Sequence, residues 1–147
     1  MNAMLKKDIA TEKKIRGEYK AAKAVGDCNA MEAARQAIMA HERKIHDQGV
    51  QYRRIFDMVL DADERGNEYI DISECLFDKD VAPLMEAFRN AGIETFTFSS
   101  TWSGSVEIAW KFTLHGYHLG GMTEINGSTR KIFSEEYEKV HAFIFNK

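Results

Sequence analysis

The chain is poor in the residues that usually disclose chemistry or compartment. It has one proline and two cysteines in 147 residues. Cys28 and Cys75 sit in unrelated contexts with no histidine at metal-ligand spacing, which excludes a disulfide framework and a zinc site and leaves reduced thiols. No apolar run approaches the roughly 18 residues that a bilayer span needs, and charges interrupt the start, MNAMLKKDIATEKK, so neither a membrane helix nor a signal peptide is expected. A cytoplasmic protein is the expectation. The Gly-Lys-Ser/Thr ending of a phosphate loop, the GxGxxG spacing and the G-x-S-x-G elbow are all missing. Repeats and low-complexity tracts are missing too. With 44% hydrophobic and 29% charged residues, the composition is that of an ordinary folded domain with its own core.

The stretch from Ile93 to Asn126 organises the rest. Phe96 and Phe98 alternate with threonine as in a strand, the polar loop Ser99 to Gly104 follows, and Val106, Ala109, Trp110, Phe112 and Leu114 have roughly helical spacing. Tyr117 to Ile125 then looks extended, which predicts a strand, helix, strand crossover between parallel strands. Before it, residues 4 to about 25 carry a narrow apolar helical seam that Gly26-Asp27 interrupts. From Cys28 to about Glu64, Met31, Ile38, Ile45, Tyr52 and Val59 recur every seven residues, with Ala34, His41, Gln48, Ile55 and Ala62 between them. A continuous helix there would reach about 50 Å and would need the first helix, a second copy or a partner to cover its seam. A kink near Gly49 is the competing reading. Gly66-Asn67 is a turn, Tyr69 to Ile72 a short extended piece, and Val81 to Ala91 an amphipathic helix with Pro83 in its first turn and Asp80 as cap. Asn126-Gly127-Ser128 begins a polar loop. Residues 139 to 145 are apolar on both sides, as in an interior strand.

The expected fold is therefore α+β: a long N-terminal helical hairpin, residues 1–66, followed by a small three-stranded mixed-sheet α/β module, residues 67–147, in the order α-β-α-β-β. Strands 93–99 and 117–125 are expected to be parallel, with 139–145 antiparallel. A homodimer through the helical arm follows from the heptad argument.

Candidate sites are few. The loop Ser99 to Ser105 joins a strand to a helix N-terminus, a natural place for a small anion such as phosphate. Capping by Ser103 and turn propensity explain the same residues. Trp102 is expected to be exposed in that loop and Trp110 to lie in the core, so Trp102, Ser100, Thr101 and Ser103 form one candidate partner-binding group, with Arg53 and Arg54 on the arm as another. Residues 1–26 carry seven basic and three acidic side chains, a balance of +4, while 67–147 carry seven and twelve, a balance of −5. Lys6, Lys7, Lys13, Lys14, Arg16 and Lys20 could contact nucleic-acid phosphates, although the net charge of −3 weighs against it. His41 and His46 are five apart, about 140° around a helix, and so do not make the zinc HExxH pair. His115, His118 and His141, near Glu107 and Glu124, read as structural. No catalytic residue, metal or cofactor is expected.

In FTFSSTWSGSVEIAW, GYHLGGMTEIN and SEEYEKVHAFIF, over roughly the last 80 residues, the chain resembles small uncharacterised accessory proteins carried on plasmids and mobile elements of gut Firmicutes, which share a domain of unknown function. The resemblance brings no catalytic residues. It implies a non-enzymatic protein-interaction module that engages a host protein, with an anti-CRISPR-like inhibitor of a host defence nuclease as the specific form.

Overall fold

A computed structural model describes residues 1–147. The fold is α+β, with five helices, a four-stranded mixed sheet and a long helical N-terminal region. It divides into two compact units, Met1–Phe56 and Asp57–Lys147. The division falls inside a helix, whereas the sequence reading placed it after the Gly66 turn.

The first unit holds α1 (Ala3–Val25), α2 (Cys28–Asp47) and the start of α3 (Val50–Arg65). Asn2 caps α1 by accepting the Leu5 N–H at 2.9 Å, and Asp27 caps α2 by accepting the Ala30 N–H at 3.0 Å. The continuous rod expected from Cys28 to Glu64 does not exist. Gly49 turns the chain at φ +103°, a conformation that costs glycine little and other residues much, so the heptad seam is cut into helices of 20 and 16 residues. The competing reading, a break at Gly49, is the observed one. The length argument for a dimer through the arm goes with the rod. Leu5, Ile9, Ala34, Ile45, Ile55 and Phe56 are buried among the residues of this unit.

In the second unit, β1 (Asp71–Ile72), α4 (Asp78–Ala91), β2 (Thr95–Phe98), α5 (Ser105–Leu114), β3 (His118–Arg130) and β4 (Tyr137–Asn146) follow one another, and the sheet order is β1-β2-β4-β3. Two expectations are corrected here. The sheet has four strands, because the short piece at Asp71–Ile72 pairs parallel with β2. And β2 and β3, although they run the same way, are not neighbours, because β4 lies between them and is antiparallel to both. The reason is in β4 itself: apolar on both sides, it belongs in the interior, where the β3–β4 hairpin can place it. Asn126-Gly127-Ser128 is strand rather than loop. Its backbone is held from the side, since the Asn67 amide donates to the Asn126 carbonyl and accepts its N–H, both at 2.9 Å. Helix α4 starts at Asp78 with Phe77 as cap, so Pro83 lies beyond the first turn.

Phe96 is the centre of this unit's core. Its ring lies 5.1 to 5.4 Å from those of Phe88, Phe112, Tyr117 and Phe145, three of them edge-on and Phe145 stacked. The buried Tyr117 hydroxyl donates to the Ile93 carbonyl at 2.6 Å.

Candidate docking surface

Helix α5, SVEIAWKFTL, is apolar on two faces. Ile108 and Phe112 are buried, with the Phe112 ring 5.2 Å from those of Phe96, Phe98 and Phe145. Val106, Trp110 and Leu114, spaced four apart, form a second stripe that faces solvent, and Trp110 is 64% exposed. Sequence reasoning reversed the two tryptophans. Trp102 is half-buried, its ring 5.8 Å from Phe77, its indole N–H buried without a hydrogen-bond partner, and its ring so placed over Gly104 that no Cβ would fit there. The sequence carries a partial signal: a helix apolar on both faces announces an exposed apolar stripe without saying which stripe it is.

The hairpin extends this apolar stripe. Leu119 stands opposite Phe145 and Met122 opposite Phe143, although residues three apart on a regular strand point to opposite sides. A register shift between Leu119 and Gly121, with Gly121 at φ +140°, inserts the extra residue that brings both side chains to one face. Leu119 is 58% and Met122 61% exposed. Between α5 and this corner of the sheet lies a cavity of about 340 Å³ lined by Val106, Ala109, Trp110, Thr113, Leu119 and Phe143, among others. The two charged side chains of α5 do not interrupt it: Lys111 pairs with Glu107 at 3.4 Å and with Asp78. The Asp78 carboxylate, chiefly, raises the Lys111 ammonium above its ordinary value.

Two hydroxyls of the serine loop are engaged within the domain. The Ser99 hydroxyl donates to Asp71, beside a Thr97 hydroxyl that donates to the same carboxylate at 2.9 Å, and Ser105 donates to the Trp102 carbonyl at 2.7 Å. Burial pushes the Asp71 carboxyl up, against the pull of those two hydroxyls. Glu107 lies in the first turn of α5, where a carboxylate suits the positive end of the helix dipole. Ser100 lines the apolar cavity, and Thr101 and Ser103 are exposed.

In the first unit the sequence reading missed a buried polar cluster. Glu12 and Asp8 flank His41: Glu12 Oε2 lies 2.8 Å from Nδ1, and Asp8 Oδ1 lies 3.7 Å from Nε2. Lys44 Nζ and the Tyr52 hydroxyl each donate to Asp8 at 2.7 Å, and Arg16 Nε donates to Glu12 at 2.6 Å. Burial would raise the Asp8 carboxyl, but the hydrogen bonds from Lys44 and Tyr52 outweigh it and hold the group below its usual value. Burial and the adjacent Asp8 push the Tyr52 phenol well above its ordinary range. Asp8 and Glu12 share the α1 face of Leu5 and Ile9, a spacing that could have revealed them. With both acids turned inward, the exposed side of α1 carries Lys6, Lys7, Lys13, Lys14 and Lys20, while Arg16 reaches back to Glu12 and Glu18 pairs with Lys14 at 3.9 Å. Arg53 is exposed on α3 and Arg54 half-buried. His118 and His141 are exposed, and His141 stands opposite Glu124 on the ladder. No cluster of His, Cys, Asp and Glu has the arrangement to hold a metal ion. No helix is long and apolar enough to cross a membrane.

Over residues 54–147 the chain matches the family model described as Domain of unknown function (DUF7698). No curated protein and no solved structure matches it.

Proposed function

This chain belongs to the DUF7698 family, and from that premise we propose that it is a non-enzymatic interaction protein whose α5–hairpin face is covered by protein. One observation carries the reading: an apolar face, with an exposed tryptophan at its centre, on a domain that already has a complete aromatic core. Contiguous apolar surface of this kind marks interaction sites, and tryptophan is favoured among the side chains that dominate binding energy. The finer reading is a cytoplasmic accessory protein of a mobile element that covers a host defence effector, as an anti-CRISPR inhibitor covers a nuclease. Its support is the resemblance of the Phe96 to Trp110, Gly116 to Asn126 and Ser134 to Phe145 segments to uncharacterised accessory proteins of mobile elements, a class that often acts by blocking host defence factors.

The test is a tagged chain offered an untagged copy of itself and an extract of its host. Trp110→Glu is expected to abolish association with the copy or with a host nuclease that the chain inhibits, while Tm moves by less than about 4 °C, because the side chain faces solvent. Association with both that persists in the variant would defeat the reading.

A second reading has an observation of its own. With Asp8 and Glu12 buried, the exposed side of α1 is nearly all basic, which suits non-specific contact with nucleic-acid phosphates. Affinity that does not fall with salt would remove it.

A further inference from the structure

We infer that the covering partner of the α5–hairpin face is a second copy of this chain, related to the first by a two-fold axis. The inference rests on the proposal that this face is covered by protein, and it names the occupant. Three observations point to it.

The first is area. At their observed exposures, Val106, Trp110, Leu114, Leu119, Met122 and Phe143 present on the order of 700 Å², more than the roughly 300–600 Å² of the largest apolar patch on a typical monomer and near the roughly 800 Å² per partner of a standard stable interface. The face is thus comparable in size with one side of a standard interface.

The second is self-complementarity, which a two-fold contact demands because each patch must be both key and lock. Val106, Trp110 and Leu114 form one row of residues four apart, and two such rows interdigitate at a crossing angle of about −50°. Trp110, 64% exposed, is the middle residue of the row and also borders a hollow. Beside it the small residues Ala109 and Thr113 open into the cavity of about 340 Å³, bounded on the other side by Leu119 and Phe143, which has room for an indole. Each copy carries one exposed indole and, beside it, one hollow.

The third is charge. Two like faces meet only if they do not repel strongly, and the charge beside α5 is small: the Lys111 ammonium pairs with Glu107 at 3.4 Å and with Asp78, which leaves one net negative charge in that cluster. The alternative route to self-association, edge pairing through β3, is blunted twice. The Asn67 amide occupies both backbone groups of Asn126, and the bulge at Gly120–Gly121 breaks the regular edge. What remains open is the face.

Sedimentation velocity over a wide concentration range decides the matter, with the full chain as wild type, Trp110→Glu and Val106→Lys, each checked for native helicity by circular dichroism. The wild type is expected to dimerise, and each variant to weaken the dimer by at least about tenfold while staying folded. Two variants are used so that a misfolded one does not leave the question open. A wild type that stays monomeric overturns the inference. So does a dimer that both folded variants leave intact, which would put the contact elsewhere. If the wild type is monomeric yet captures a host nuclease through Trp110, only the choice of occupant is wrong. If neither association depends on Trp110, the docking reading falls as well.

Discussion

Asp8 is the side chain on which the first unit's chemistry turns. It is 1% exposed, and its carboxylate is compensated by Lys44 and Tyr52 from two other helices. A buried acceptor that loses one charge-assisted hydrogen bond costs more than a neutral pair would suggest. Tyr52→Phe is therefore expected to lower the stability of the helical unit by about 1.5–3 kcal/mol, read as a fall in the urea midpoint of the helical signal. A loss of less than about 0.5 kcal/mol would show that water replaces the phenol without penalty. The spacing of Asp8 and Glu12 with Leu5 and Ile9 signals that they lie inside, but residue type argues the other way, since charged side chains are seldom buried unless paired. Their partners His41, Lys44 and Tyr52 come from 29 to 44 residues away, a distance that no local pattern spans. The two tryptophans failed for a different reason: α5 is apolar on both faces, and periodicity alone does not say which face meets the sheet.

Helices and strands show where sequence patterns hold and where a single residue overrides them. The caps at Asp27 and the end of α4 at Gly92, the short strand near Ile72 and the interior position of the last strand were all legible, because each follows from local backbone chemistry or two-sided hydrophobicity. The heptad from Met31 to Val59 misled, since a seven-residue repeat counts side chains and is blind to the backbone, and Gly49 adopts a φ that no helix contains. Gly49→Ala is expected to destabilise the helical unit by at least about 1 kcal/mol, because alanine at φ +103° is strained whatever the space around it. Chemical denaturation followed by far-ultraviolet circular dichroism measures it. A gain in helicity or stability would mean that α2 and α3 prefer to fuse. The strand order was beyond reach for a third reason. The pairing of β2 with β4 joins residues about fifty positions apart, and the Asn126-Gly127-Ser128 run looks like a turn until the Asn67 side chain is known to hold it extended.

The molecule as a whole should answer acid in two stages. Asp8, whose folded value is depressed, adds stability to the first unit above the ordinary carboxylate range and loses it as pH falls through the lower folded value. Asp71, whose folded value is raised, acts the other way: its contribution to the second unit is greatest at low pH and declines as pH rises through the raised value. Both tryptophans lie in the second unit. On titration from neutral towards about pH 3, the helical signal is expected to fall before tryptophan emission changes, and coincident transitions would count against independent units. The sheet itself has a consequence for life at high copy number. One of its borders is only two residues long, and the other is fastened midway by a carboxamide. Such a sheet offers newly made chains a poor template for stacking into cross-β fibres, which lowers the tendency of its borders to seed insoluble deposits.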